Sequence, residues 1–238
     1  MTAKDKIIVA LDVETPEAAA AWSARLKKEV GYFKIGKQLF TAAGPDVVRR
    51  IKADGGKVFL DLKFHDIPNT VAAAAVEAVR LGVDMLNVHA LGGLEMMQKA
   101  AEAVKEEALN RGGERPLLIA VTILTSMNEE ALSEAGISTP LAEEVRRLAL
   151  LAKKAGLDGV VASPMEIRLI KEACSEAFLV VTPGVRPSFA AKNDQRRVMT
   201  PAEAVNAGAD YLVIGRPITA AEDPESAVSR IVEEMCRG

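Results

Sequence analysis

A strand-like segment followed by a helix-like segment recurs eight times along the chain. Each strand candidate is a short run rich in Val, Ile and Leu, and each helix candidate is rich in Ala, Leu, Glu and Lys at helical spacing. Parallel strands need a crossover between them, usually a helix, so this alternation is typical of a parallel α/β sheet. Eight such units predict a closed (β/α)₈ TIM barrel that forms a single domain over residues 1–238.

Pro and Gly residues mark the ends of the predicted helices. Several helices begin at Pro, which suits the first helical turn, and several end near Gly before the next strand. The predicted strands are residues 6–11, 32–36, 57–62, 85–89, 117–122, 159–162, 178–182 and 211–215. The predicted helices are residues 16–29, 45–53, 68–81, 94–109, 140–155, 164–174, 201–206 and 224–235.

An open, doubly wound sheet is the competing architecture for this pattern. The first strand ends in Leu11-Asp12-Val13 and lacks the GxGxxG dinucleotide signature that often follows it in that fold, so the barrel is favoured. The longest irregular stretches are residues 124–139 and 183–200. Both follow the carboxyl ends of strands, where barrel enzymes build their active sites.

Charge and cysteine usage exclude several classes of protein. The chain has 30 Lys and Arg against 33 Asp and Glu, so it lacks the basic excess expected of a nucleic-acid binder. Cys174 and Cys236 lie far apart, which argues against a zinc site or a disulfide framework. The apolar run at residues 7–11 is too short for a signal peptide, and no run approaches the ~18 residues of a membrane span. We therefore expect a cytoplasmic protein that does not enter a membrane.

The third predicted strand carries two charged residues on one of its faces. Side chains alternate along a strand, so Asp61 and Lys63 share one face while Leu60 and Leu62 share the other. If the leucines pack against the surrounding helices, Asp61 and Lys63 point into the barrel.

Two further charges are predicted at the same rim. Asp12 ends the first strand and Lys34 lies within the second. Removing a charge from water costs several kcal/mol, so such groups persist as paired sets or where a ligand uses them. A purely structural ion-pair network is the alternative. Residues 65–70 then leave the strand and begin a helix at Pro68, which makes them a loop of the kind that often carries ligands.

The segment DLKFHDIPNT at residues 61–70 resembles the DxKxxDIPNT signature of the orotidine 5′-phosphate decarboxylase family. The resemblance covers nearly the whole chain, in the family's order. The other matching segments are residues 10–12, 34–36, 87–90, 121–126, 183–187 and 211–218. It implies an enzyme of pyrimidine biosynthesis that decarboxylates orotidine 5′-monophosphate to uridine 5′-monophosphate, a small-molecule substrate, without a metal or an organic cofactor.

The resemblance assigns catalytic roles to four charged residues. Lys63 would protonate C6 of the pyrimidine as carbon dioxide leaves, which requires an acid within reach of that carbon. Asp61 and Lys34 would be its neighbours within the chain. Asp66 would come from the other subunit of a homodimer, accompanied by Ile67 and Thr70.

The same resemblance implies the substrate-binding residues. Asp12 and Lys34 would contact the ribose hydroxyls, and Thr125 and Ser126 the edge of the pyrimidine. The phosphate would be bound by Arg186, Gln195, Gly215 and Arg216. Without the resemblance, Asp12 would also suit a turn or cap, and Thr125-Ser126 a helix cap.

Two other functions remain as alternatives. A magnesium-dependent sugar-phosphate lyase or decarboxylase of the same barrel type shares a DxKxxD motif, but it carries a metal-binding carboxylate where this chain has Lys34. A non-catalytic barrel that binds nucleotide phosphates would be expected to lack part of the charged set. His65 and His89 are the only histidines, and we expect structural roles for both.

Overall fold

The computed structural model describes residues 2–190 and 199–237. Its parallel strands close into a barrel in which each strand pairs with the next along the chain and the last pairs with the first. The strands are β1 (Ile7–Ala10), β2 (Tyr32–Gly36), β3 (Val58–Phe64), β4 (Met85–His89), β5 (Leu117–Val121), β6 (Gly159–Val161), β7 (Leu179–Pro183) and β8 (Tyr211–Ile214). The predicted TIM barrel is confirmed.

Helices connect the strands on the outside of the barrel. The α-helices are α1 (Pro16–Leu26), α2 (Lys37–Ala43), α3 (Asp46–Ala53), α4 (Pro68–Arg80), α5 (Gly93–Arg111), α6 (Glu129–Glu134), α7 (Leu141–Lys154), α8 (Ile167–Cys174), α9 (Pro201–Asn206), α10 (Arg216–Thr219) and α11 (Pro224–Cys236). Short 3₁₀ turns cover Lys4–Lys6, Ala90–Gly92 and Pro164–Glu166.

Three of these helices, α2, α6 and α10, are not predicted by the sequence pattern. Part of the stretch at residues 124–139, predicted to be irregular, forms α6, and the Asn128 side chain caps it by accepting the N–H of Ala131. Helix α2 follows β2 with no capping side chain at Gly36, and α10 has only four residues. Short helices of this kind lack the repeated apolar face that reveals longer ones.

Apolar side chains form two layers, one on each side of the strands. Ile8, Ala10 and Phe59 point into the barrel, whereas Val9 and Leu60 pack against the surrounding helices. The alternation predicted for β3 is therefore observed, and β1 alternates in the same way. The remaining inner-layer residues are Tyr32, Met85, Ile119, Val121, Val161, Val181, Tyr211 and Val213.

A glycine, an apolar residue and an aspartate precede β4, β6 and β8, at residues 82–84, 156–158 and 208–210. The glycines have positive φ angles of 77°, 84° and 107°, which end the preceding helical segments. Each aspartate accepts the N–H of a residue in the neighbouring strand at 2.7 Å. The pairs are Asp84 with Val58, Asp158 with Leu118 and Asp210 with Val180.

A cation neutralises each of these carboxylates. Lys52 pairs with Asp84, Arg115 with Asp158 and Lys171 with Asp210. Before β2, a glycine, Gly31, stands where these aspartates stand before β4, β6 and β8. A larger residue is excluded there because its Cβ would overlap the carbonyl oxygen of Asp5. At the amino ends of β4, β6 and β8, these aspartates therefore tie each strand to the strand before it.

These ion pairs should differ in their contribution to stability. The Lys171 side chain is 5% exposed, whereas that of Arg115 is 38% exposed. Loss of Asp210 therefore leaves a deeply buried ammonium without its partner, whereas loss of Asp158 leaves a more exposed guanidinium. We expect Asp210→Ala to lower the free energy of unfolding by about 3–5 kcal/mol. We expect Asp158→Ala to lower it by about 1–3 kcal/mol. Urea denaturation measures both, and the reverse ranking would contradict this interpretation.

Candidate active site

A cavity of about 320 Å³ opens where β1, β2 and β3 end beside the loops that follow β5, β7 and β8. Its wall combines charged side chains with the apolar residues Ala10, Phe59 and Val213 of the barrel interior. Eight of the predicted site residues line it: Asp12, Lys34, Asp61, Lys63, Thr125, Arg186, Gly215 and Arg216. The fold therefore gathers residues from distant parts of the sequence into one site.

Four of these residues form a chain of alternating charges. The Nζ atom of Lys63 donates to Oδ1 of Asp61 at 2.5 Å. The Nζ atom of Lys34 lies 3.5 Å from Oδ2 of Asp61 and 3.5 Å from Oδ1 of Asp12. Asp61 is buried, at 9% exposure, so the two ammonium groups offset the cost of removing its carboxylate from water.

The backbone of β3 is irregular where it presents these charges. Its register against β4 shifts between Leu60 and Phe64. Lys63 has a φ angle of 54°, a left-handed conformation that costs a residue other than glycine about 1–2 kcal/mol. This irregularity places two charged residues at the mouth of the barrel.

Asn87 on β4 belongs to the site although it is not among the predicted site residues. Its side chain is fully buried, its Oδ1 accepts the N–H of Lys63 at 2.8 Å, and its Nδ2 donates to Oδ1 of Asp61 at 2.7 Å. The sequence carries a signal for it, because Asn87 is a polar residue in an apolar strand and shares a face with Met85. A buried amide of this kind needs partners, and here both are members of the charged cluster.

The opposite side of the cavity carries two arginines. Arg186 follows β7 and Arg216 follows β8, and both line the cavity. The Nε atom of Arg186 is buried and has no hydrogen-bond partner among the described residues. Buried donors are nearly always paired, so Arg186 carries an unsatisfied donor in the wall of the cavity. The guanidinium geometry suits forked contacts to a phosphate.

The other predicted site residues do not line this cavity. Asp66, Ile67 and Thr70 are exposed at the start of α4, where Oδ1 of Asp66 accepts the N–H of Ile67 at 2.6 Å. Ser126 is exposed beside the lining residue Thr125. Gln195 lies outside the described residues.

The two histidines lie close to each other near the charged cluster. The centres of the His65 and His89 rings are 5.7 Å apart. Burial lowers the pKa of His89 to about 4, and electrostatic interactions with His65, Lys63 and Lys37 act in the same direction. Residues 2–190 and 199–237 contain no group of three or more His, Cys, Asp or Glu side chains placed to hold a metal ion.

The fold and the cavity together define a class, the (β/α)₈-barrel enzymes, with the site at the carboxyl ends of the strands. The sequence model of the orotidine 5′-phosphate decarboxylase / HUMPS family matches residues 5–231. The chain belongs to this family. The family membership that the sequence motifs predicted is confirmed.

Individual relatives agree with this assignment. The chain is 64% identical to the orotidine 5′-phosphate decarboxylase of Syntrophotalea carbinolica, over 98% of this chain and 96% of the relative. It is 61% identical to the orotidine 5′-phosphate decarboxylase of Geobacter sulfurreducens, over 99% of this chain and 98% of the relative. The crystal structure of the Lactobacillus acidophilus orotidine 5′-phosphate decarboxylase matches with a TM-score of 0.86 and 40% identity, over 96% of this chain and 98% of that chain.

Membrane insertion was not expected from the sequence. Across the part of the chain that the structure describes, every helix is too short or too polar to cross a bilayer.

The lowered pKa of His89 should make stability depend on pH. The folded protein keeps the ring neutral down to about pH 4, whereas the unfolded chain protonates it near pH 6.5. The unfolded state then binds more protons in this window, so the free energy of unfolding falls on acidification, by at most about 3 kcal/mol from this group. In His89→Asn this component should be absent. The free energy of unfolding should then depend less steeply on pH than in the wild type between pH 6.5 and 4, and should run parallel to the wild-type curve at higher pH. Parallel curves throughout would contradict the assignment.

Proposed function

We propose that this protein decarboxylates orotidine 5′-phosphate to uridine 5′-phosphate in pyrimidine biosynthesis, with no metal or organic cofactor. The observation that carries this proposal is the arrangement of one cavity, with the ammonium of Lys63 held against Asp61 on one side and two arginines on the other. The names of the relatives support the same substrate. We place the reaction in the cytoplasm and assign it to one catalytic domain covering residues 1–238.

Lys63 acts as the general acid. The bond between C6 and the carboxylate carbon breaks, carbon dioxide leaves, and the electron pair stays on C6. The adjacent ammonium stabilises this developing carbanion and then transfers a proton to C6, forming the C–H bond. Lys63 is left neutral and regains a proton from water.

Asp61 and Lys34 hold that ammonium in place. Asp61 accepts from Lys63 through one oxygen and lies close to Lys34 through the other, which restricts the position of the Lys63 Nζ atom. Fixed charges of this kind need no reorganisation when the carbanion forms. Asp61 also lies close to the substrate carboxylate in this arrangement.

The phosphate binds at the arginine side of the cavity. Arg186 and Arg216 supply guanidinium donors, and the backbone beside Gly215 is accessible to the phosphate. Gln195, which the family resemblance also assigns to the phosphate, lies outside the described residues. Barrel enzymes commonly bind phosphate through the loops after the seventh and eighth strands. Binding energy gained at this remote group can be used to position C6 against Lys63.

The remaining contacts orient the nucleoside between these two ends. Asp12 accepts hydrogen bonds from the ribose hydroxyls and Lys34 donates to them, which their carboxylate and ammonium groups allow. Thr125 and Ser126 contact the edge of the pyrimidine. Thr125 lines the cavity beside Ile123 and Leu124, which supports this placement.

The site is completed by a second subunit. Asp66, Ile67 and Thr70 of one protomer enter the cavity of its partner in a homodimer. The apolar side chain of Ile67 is 67% exposed in the single chain, so it is accessible to a partner subunit.

The geometry favours catalysis without a metal. Divalent cations such as Mg²⁺ need oxygen ligands, whereas the carboxylates of Asp12 and Asp61 are both close to the Lys34 ammonium. A cation at that position opposes a second cation beside it. The magnesium-dependent alternative is therefore less favoured than the decarboxylase.

The role of Lys63 is tested by Lys63→Ala. We expect this variant to fold and to lose at least about 1,000-fold in kcat, because it lacks both the proton donor and the charge beside C6. The assay follows the absorbance of orotidine 5′-phosphate in buffer with EDTA. Lys57→Ala is the matched control, since Lys57 precedes the same strand at the opposite end of the barrel and is exposed. Activity close to wild type in Lys63→Ala would remove the assignment.

Subunit mixing tests whether Asp66 acts across the dimer. Lys63→Ala and Asp66→Ala should each be inactive, but a mixed dimer contains one complete site. Random mixing should therefore restore about one quarter of wild-type activity. Mixing Lys63→Ala with Asp61→Ala is the control and should restore none, because both residues serve the same subunit's site. No recovery in the first mixture would mean that Asp66 does not act in trans.

A further inference from the structure

We propose that Asn87 is a positioning residue for Lys63 and Asp61, acting through its side-chain amide without touching the substrate. This inference rests on the function proposed above, because it concerns the group that protonates C6. Three features of the structure carry it: the register shift in β3, the φ angle of Lys63 and the two hydrogen bonds of Asn87.

The register shift leaves room for a side chain in the sheet. Leu60 pairs with Leu86 and Phe64 pairs with Val88, so β3 advances by more residues than β4 between these two pairs. Residues of the longer segment lose their regular backbone partners at such a bulge. The Asn87 side chain takes the place of a backbone partner, since its Oδ1 accepts the N–H of Lys63.

This hydrogen bond stabilises a strained conformation. Lys63 is one of two residues other than glycine with positive φ among those described, at 54°. Strain of this kind persists only where the surroundings enforce it. Without the Asn87 acceptor, the Lys63 N–H would lose its partner and the backbone could relax, moving the side chain that carries Nζ.

The second hydrogen bond orients the carboxylate. Oδ1 of Asp61 accepts from Nδ2 of Asn87 at 2.7 Å and from Nζ of Lys63 at 2.5 Å. The amide thus fixes both ends of Lys63, its backbone directly and its ammonium through Asp61. At this position a leucine offers neither bond, and an ionised aspartate offers no donor and repels Asp61.

Loss of the amide should lower kcat and leave substrate binding largely intact. Displacing a catalytic group by about 1 Å can cost about 100-fold in rate. The phosphate contacts lie on the other side of the cavity, at Arg186 and Arg216, and do not involve Asn87.

The first experiment compares Asn87→Leu with Val88→Ala. Val88 is fully buried on the opposite face of β4, so its truncation should lower the Tm and leave kcat unchanged. Asn87→Leu should lose about 100-fold in kcat with KM within about three-fold of wild type. Wild-type kcat in folded Asn87→Leu would overturn the proposal.

The second experiment uses Asn87→Asp and its pH profile, and it decides the question if Asn87→Leu does not fold. When protonated, the new carboxyl can accept from Lys63 and donate to Asp61, as the amide does; when ionised, it cannot donate. The titratable residues hydrogen-bonded to Asn87 are Asp61 and Lys63, with Lys34 paired to Asp61 and His89 next along the same face of β4. The ratio of its kcat to the wild-type kcat should therefore rise as the pH falls, and a ratio independent of pH would overturn the proposal.

The outcome for Lys63→Ala separates this proposal from the function itself. If Lys63→Ala retains activity, the proposed chemistry fails whatever the Asn87 variants do. If Lys63→Ala is inactive while the Asn87 variants keep wild-type kcat, the chemistry stands and the positioning role of Asn87 is wrong.

Discussion

The buried carboxylate of Asp61 is the constraint on which the site depends. An isolated charge at the end of a barrel strand would cost several kcal/mol to remove from water. Ammonium groups on both sides offset that cost, Lys63 at one oxygen and Lys34 at the other. The same pairing holds the Lys63 ammonium beside the cavity, so the interaction that offsets the cost of burying Asp61 also positions Lys63 for the role proposed for it.

The two ends of the barrel use charge in different ways. At the amino ends of β4, β6 and β8, aspartates accept backbone N–H groups and pair with cations, which ties neighbouring strands together. At the carboxyl ends, the charged groups line an open cavity and leave donors such as Nε of Arg186 without a partner among the described residues. Stability and function are therefore separated along the strand axis, as is usual in barrel enzymes.

The fold was predictable because strand and helix periodicities alternate with little interruption. Alternation within β3 also predicted that Asp61 and Lys63 share the inner face, and both line the cavity. Asn87 stands out as a polar residue in an apolar strand, but its contacts with Asp61 and Lys63 depend on a register shift between β3 and β4 that has no local pattern in the sequence. The short helices α2, α6 and α10 were missed because few residues contribute to each. The roles proposed for Asp66, Ile67 and Thr70 depend on a second chain, so they rest on the family resemblance and not on contacts within one protomer.

A crystal structure with uridine 5′-phosphate bound would test the central claim most directly. We expect the phosphate between Arg186 and Arg216, and the Nζ atom of Lys63 within hydrogen-bond reach of C6 while still paired with Asp61. A nucleotide bound in the reverse orientation, or a Lys63 ammonium turned away from C6 into solvent, would contradict the mechanism.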